Sequence, residues 1–340
     1  MSIRLALVSA LVVVAFPALS TSPVLSGLSG LSGAAAQGQT PPTSASRTMA
    51  LTFDDLPYAR AGIDDDRALT DAQVGTGAIL EALVAHNAPA VGFVNEKFVE
   101  TPDRDALTTL LKQWVAAGEV LGNHTYSHAD LNGMTTEAFT SEIIKGEVVT
   151  KPLMQSRIPY GRFFRHPYMH TGNTPAKKQA VEEFLAVHGY RVAPHTIDSA
   201  DDVFNTLYTN AIESDDPFLM RRIISAYADF VMATTAFAER SARAMFNRDI
   251  PQVMLMRANN INADALPELL NRFEVRGYAF VGLETAMADA AYRTRDTDVT
   301  SEGPTWLVRW AKSLGLSVDV AGEPDPPDWI MDAAGIKKKR

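Results

Sequence analysis

The sequence predicts an α/β protein built on a parallel sheet, open or closed into a barrel. Three observations carry that expectation. From about residue 47, short apolar runs alternate with amphipathic stretches. The gaps between them are short, as in repeated βα units. The length of 340 residues also suits an α/β barrel folded as one domain. The elements come in this order: a strand over Thr48 to Phe53, a helix over Asp71 to His86, a strand over Ala90 to Val94, and a helix over Asp103 to Ala117 that Gly118 ends. Glu119 to Gly122 is a third strand, and Thr135 to about Ser156 reads as one long helix. Phe163 to Arg165, a helix over Asn173 to His188 and a strand over Tyr190 to Ala193 come next. A polar-to-helical stretch, Asp215 to Asn247, precedes a strand over Val253 to Met256. A helix over Ala265 to Arg276 and a strand over Tyr278 to Val281 close the series. Beyond them Thr305 to Leu314 has amphipathic spacing, and Pro324, Pro326 and Pro327 interrupt the remaining C-terminal stretch.

The two ends read differently from the middle. Arg4 precedes an apolar run from Leu5 to Leu19 broken only by Ser9 and Pro17, and small residues stand at Ala18 to Ser20 and at Ala34 to Ala36. That is the layout of a secretory signal peptide, short for a membrane span, although an uncleaved anchor has the same ingredients. Three Leu-Ser-Gly repeats and a Gln, Pro, Thr and Ser stretch then read as a tether. The expected organisation is a signal and low-complexity segment over 1–36, a linker over 37–46, a catalytic domain over 47–290, and an extension over 291–340 packed on the barrel. The expected address is outside the cytoplasm, periplasmic or secreted, with no stable membrane insertion after cleavage. Cysteine is absent, which excludes thiolate ligands, thiol catalysis and a lipidated cysteine. Formal charge is −9. Removing residues 1–36, whose only charged side chain is Arg4, makes it one unit more negative. An acidic surface argues against nucleic acid and anionic lipid as partners, and the basic Lys337 to Arg340 reads as a solvated end.

Polar residues cluster where strands end. Thr52-Phe53-Asp54-Asp55 stands at the end of the first strand, His124-Thr125-Tyr126-Ser127-His128 after the third, and Arg165-His166-Pro167-Tyr168 after the fourth. The C-terminal ends of barrel strands are where catalytic groups converge. Each piece alone is modest. An Asp pair at a strand end commonly caps a helix, and a His pair at i, i+4 serves structure about as often as metal. A lone arginine is usually salt-bridged. Three loops carrying matching chemistry in one chain order are more specific.

In these boxes the sequence resembles the NodB-homology polysaccharide deacetylases, carbohydrate esterase family 4, over roughly residues 47 to 285. The T-F-D-D box matches at Asp54 and Asp55, the H-(S/T)-x-x-H box at His124 and His128, and the R-x-P-Y box at Arg165, Pro167 and Tyr168. A looser counterpart of an Asp-rich fourth motif is Asp198 to Asp202, and Asp201 there, like Pro167, is expected at a substrate-binding position. The resemblance implies a distorted (β/α) barrel and removal of N- or O-acetyl groups from an acetylated glycan. It implies one divalent metal on Asp55, His124 and His128, with zinc the best fit and cobalt, nickel or iron suited to the same ligands. It further implies Asp54 as general base towards a metal-activated water, Arg165 holding Asp54, and the Tyr168 N–H at the oxyanion.

One motif departs from the pattern. The family's Leu-x-His places a proton-donating histidine on a late strand, whereas Val253 to Met256 is followed by Arg257. Guanidinium keeps its proton above pH 12, so Arg257 would bind an oxyanion or an acidic sugar rather than donate. All seven histidines lie between His86 and His195, which leaves His166 or His195 as substitute acids. The sequence therefore supports a slow or specialised hydrolase, with two alternatives. One is an impaired pseudo-enzyme that binds metal and glycan. The other is a hydrolase of another non-peptide C–N bond, against which the complete triad argues. No Gly-x-Ser-x-Gly elbow is present. The segments Ala59 to Thr70 and Thr206 to Pro217 are expected to be long loops that shape the groove.

Overall fold

The computed structural model describes residues 47–59, 66–157, 160–319 and 322–336. The signal, the linker and the basic tail read from the sequence lie outside the described residues, as does half of the segment expected to loop over Ala59 to Thr70, residues 60–65, while Ala68 to Thr70 already belong to a helix instead of a loop.

The centre of the sheet is β1 (Arg47–Leu56), where Met49, Ala50, Leu51 and Phe53 are all buried. A strand apolar on both faces needs cover on both faces, which parallel βα connections supply. After α1 (Ala68–Ala85) come β2 (Ala90–Val94), α2 (Arg104–Ala117) and β3 (Val120–Asn123). The next elements are α3 (Thr136–Lys145), α4 (Thr150–Met154), β4 (Phe163–Phe164), α5 (Pro175–Val187), β5 (Arg191–Val192) and β6 (Ile197–Asp198). Then come α6 (Asp201–Glu213), α7 (Pro217–Phe246), β7 (Gln252–Arg257), α8 (Asn260–Val275) and β8 (Tyr278–Phe280). Three short helices follow among the described residues: α9 (Leu283–Met287), α10 (Trp306–Ser313) and α11 (Asp328–Ala333). The strands run β5-β4-β3-β2-β1-β7-β6, with β8 also on β1, and every pairing is parallel. The fold is a distorted (β/α) barrel: a parallel sheet curled beneath helices, with no ladder between β5 and β6 among the described residues. No described helix is long and apolar enough to cross a membrane.

Two expectations about elements are corrected. The helix expected over Thr135 to Ser156 breaks after Lys145. At the break Gly146 lies against the histidine loop so closely that a Cβ there would sit 2.8 Å from the Thr125 carbonyl carbon and 2.9 Å from the Tyr126 nitrogen. Only glycine allows that approach. The segment Thr206 to Pro217 is mostly the helix α6, not a loop, because Phe204, Tyr208 and Ala211 repeat at helical spacing and are fully buried. β6 is too short to register as a strand in the sequence.

Glu119 shows what this packing costs. It is buried at the start of β3 and accepts the Ala90 N–H at 2.5 Å. Burial pushes its carboxyl up to about 7, against the opposing pulls of that hydrogen bond and of Arg157. The unfolded chain releases the same proton near about 4.3. Between those values the folded state binds more protons, so stability falls as pH rises through the window. Glu119→Gln should therefore melt several degrees above wild type at pH 8 and level with it at pH 4. Thermal melts at both pH values check this, and an equal gap at the two would contradict it.

Candidate active site

Successive strand residues point to opposite faces, yet Asp54 and Asp55 line the same groove. The backbone explains why. Asp55 has φ 63°, a left-handed conformation costing an L-residue roughly 1–2 kcal/mol, and the β1–β2 ladder shifts register between Phe53 and Leu56. Asp tolerates this conformation better than most side chains. The strand end thus turns two neighbouring carboxylates inward together.

The histidines come from the loop after β3, where Thr125 and His128 are also left-handed, at φ 64° and 58°. Asn123 caps the loop, accepting the Thr125 N–H at 2.8 Å and donating to the Ile143 carbonyl at 2.8 Å. Asn95, after β2, donates to the His124 carbonyl at 2.5 Å. His124 Nδ1 is 2.8 Å from the Arg165 carbonyl, which can only accept, so that hydrogen bond assigns the proton to Nδ1 and the lone pair to Nε2. That Nε2 lies 3.7 Å from Asp55 Oδ1, and His128 Nε2 lies 3.6 Å from the same oxygen. The three ligand atoms fall within 4.8 Å of one another. Asp55 Oδ1 is buried and makes no hydrogen bond among the described residues. Burial and then His128 drive the His124 ring down to about 3, which keeps it neutral, the form that binds metal. One carboxylate oxygen and two imidazole nitrogens converging on a point fit a divalent cation.

Asp54 faces other partners. It is buried, with Oδ1 3.8 Å from Arg165 Nε and Oδ2 3.9 Å from His124 Nε2. Burial raises its pKa, and Arg165, Arg257 and His128 pull it back. Arg165 is fully buried, donates to Thr52 Oγ1 at 2.7 Å and lies over the Phe93 ring at 4.9 Å. Neither its Nε nor Asp54 Oδ1 has a hydrogen bond among the described residues. A buried acceptor and a buried donor are both oriented without being consumed.

Arg257 sits directly across from Asp54 in the β1–β7 ladder. Its Nη1 is 2.7 Å from Asp201 and 3.3 Å from Asp202, and its Nε is 3.4 Å from Asp55 Oδ2. Burial opposes the charge, but Asp201, Asp202 and Asp55 outweigh it and hold the guanidinium protonated. Asp201 is fully buried in the first turn of α6 and accepts from the Arg257 N–H and from Asn259 and Asn262, each at 2.7 Å.

The turn after β4 completes the wall. Tyr168 and Met169 both have φ 56°, and the half-exposed Tyr168 ring meets the His128 ring edge-on at 4.5 Å. The resulting groove, about 560 Å³, is lined by Asp54, Asp55, His124, His128, Tyr168 and Arg257, with Asp198, Asp202, Asn205 and Asn259 beside them. A larger cleft of about 890 Å³ between α7 and α8 carries none of the motif residues.

A family model for polysaccharide deacetylase matches residues 42–198. The chain carries a polysaccharide deacetylase domain. A chitin deacetylase of Arthroderma benhamiae is 30% identical over 134 residues, covering 39% of this chain and 31% of that protein. A peptidoglycan-N-acetylglucosamine deacetylase of Bacillus cereus is 29% identical over 167 residues, covering 48% and 52%. A family 4 carbohydrate esterase from Streptomyces lividans, solved with acetate, aligns at 20% identity and TM-score 0.42 over 71% of this chain and 96% of that one. The match reaches about a third to about half of the length of these two curated relatives.

The structure brings Asp54, Asp55, His124, His128, Arg165 and Tyr168 of the matched segment together with Arg257 beyond it. Three placements differ from the sequence reading. Asp201 supports Arg257 from below instead of facing a substrate, and Pro167 is buried in its turn. His166 and His195 are both buried outside the groove lining, and burial pushes the rings of both down, that of His166 to about 3. Neither lines the groove, and burial disfavours a proton on either ring, which argues against the substitute-acid role expected from the sequence. Sequence reasoning missed Asn95, Asn123 and Asn259, and the signal was there: each asparagine stands at or just beyond the end of an apolar strand. His124→Ala should weaken zinc binding at least roughly a hundredfold, since loss of a supporting partner alone costs about 10–100-fold. Competition titration of the stripped protein measures this, and unchanged affinity would place the ion elsewhere.

Proposed function

We propose that the protein is a metal-dependent hydrolase that removes acetyl groups from a carbohydrate. The observation that carries the reading is the unequal placement of two adjacent carboxylates: Asp55 Oδ1 lies near both histidines, whereas Asp54 approaches only His124 and lies beside the buried Arg165. Asp55, His124 and His128 would hold a divalent ion, which when bound would lower the pKa of a water towards about 7 and polarise the acyl carbonyl. Asp54 takes the proton from the attacking water, and burial, which raises its pKa, strengthens it as a base. Arg165 keeps that base ionised and aimed. The Tyr168 N–H faces the carbonyl oxygen as it gains charge. Arg257, a fixed cation, attracts the same oxygen or an acidic group on the sugar.

The departing group must then collect a proton, and Arg257 has none to give. The proton that Asp54 has acquired is the available one. An amine leaves only when protonated, whereas an alcohol leaves with less help, so O-acetyl esters should be cut faster than N-acetyl amides. The ion pairs that fix Arg257 also support the second reading, a protein that binds metal and glycan with little turnover. We extend the proposal to an exported address, resting on the composition of residues 1–36.

Acetate release from O- and N-acetylated glycans by the zinc-loaded chain tests the proposal. Asp54→Asn should retain the metal and lose about 10²–10⁴-fold in rate. Undiminished release by this variant would remove Asp54 from the mechanism. Wild type without release on any substrate, yet binding glycan, would establish the second reading.

A further inference from the structure

Arg309, on α10, is fully buried although it lies far along the chain from the motif residues. Its guanidinium reaches back to the turn that carries Tyr168. Nη2 donates to the Met169 carbonyl at 2.7 Å, and Nη1 donates to Thr171 Oγ1 at 2.9 Å. Nε donates to the Pro304 carbonyl at 3.1 Å, and Nη1 also lies 3.3 Å from Asp296 Oδ2. Lys178 of α5 shares both polar partners, at 2.6 Å from Asp296 and 3.1 Å from Thr171. A second residue of the same C-terminal segment, Gly303, lines the groove and packs so tightly on the turn that a Cβ would collide with the Tyr168 carbonyl oxygen.

The turn needs such support. Tyr168 and Met169 are consecutive non-glycine residues at positive φ, a conformation that persists only when the surroundings impose it. A buried guanidinium is itself costly unless its donors are used, and here they span two carbonyls, a hydroxyl and a carboxylate. We infer that Arg309 is a positioning residue for the hydrolysis, holding the 168–169 turn so that the Tyr168 N–H meets the acyl oxygen. The inference rests on the hydrolase reading above. It assigns the C-terminal segment a part in the active site. Lysine cannot reproduce the planar fork that joins Met169 and Thr171.

The test uses the zinc-loaded full chain and three variants, Arg309→Lys, Arg309→Ala and Gly303→Ala. Deleting an oxyanion donor outright costs about 10²–10³ in kcat, so a displaced one should cost roughly tenfold to a hundredfold. KM should stay within about twofold, and metal content should not change. Deuterium exchange in a peptide over 166–173 should quicken in all three variants, and guanidinium ion should partly restore kcat in Arg309→Ala. A folded Arg309→Lys with wild-type kcat and exchange would overturn the inference. So would a loss of kcat that only tracks loss of melting temperature and metal, without guanidinium rescue. If Arg309→Lys does not fold, Gly303→Ala decides by the same two readouts. If wild type releases no acetate, the hydrolase reading falls. Exchange over 166–173 then still decides the positioning claim: quickening supports it, and no change overturns it.

Discussion

The site depends on one local constraint, the left-handed backbone at Asp55. A regular strand would send Asp54 and Asp55 to opposite faces of the sheet, and only one could reach the groove. With φ at 63° and the ladder to β2 shifted, both carboxylates turn to the same side while Asp54 keeps its register opposite Arg257. The two then part company by their neighbours. Asp55 offers Oδ1 to His124 and His128, and Asp54 stays with Arg165. On the proposed reading, that separation would let one carboxylate ligate while the other stays free to accept a proton.

Strain of the same kind recurs around the groove. Thr125, His128, Tyr168, Met169 and Ala200 also have positive φ, in the loops after β3, β4 and β6. Each such residue costs of order 1–3 kcal/mol, so the scaffold must impose them. It does so with buried polar side chains and two close glycine contacts: Asn123, Asn95 and Gly146 on the histidine loop, Arg309 and Gly303 on the Tyr168 turn. Charge is balanced in the same way. Arg165 and Arg257 stand among Asp54, Asp55, Asp198, Asp201 and Asp202, and a buried ion without such partners would be far more costly.

Much of this was legible in the sequence, for identifiable reasons. β1, β2 and β7 read clearly because central parallel strands are continuous apolar runs. The metal-fitting triad and Arg165 read clearly because each lies at a strand end beside other polar residues. The break after Lys145 did not, because Gly146 is needed for an approach to a loop about 20 residues earlier, and periodicity carries no such information. The burial of Asp201, His166 and His195 was equally invisible, since composition does not tell a groove-facing polar side chain from one enclosed by its own partners. Arg309 is the extreme case: an arginine on an amphipathic helix reads as surface, and only the fold sets it against Met169 and Thr171.

The central claim is that the two adjacent aspartates have separate duties, with one ion between Asp55 and the histidines. Crystals of the zinc-loaded protein, with data collected on both sides of the zinc absorption edge, test it most directly. The account predicts one strong anomalous peak per chain, bordered by a carboxylate oxygen of Asp55, His124 Nε2 and His128 Nε2, with Asp54 outside the coordination shell and still beside Arg165. A peak ligated by both aspartates would leave no free base, and a peak away from the two histidines would contradict the account altogether.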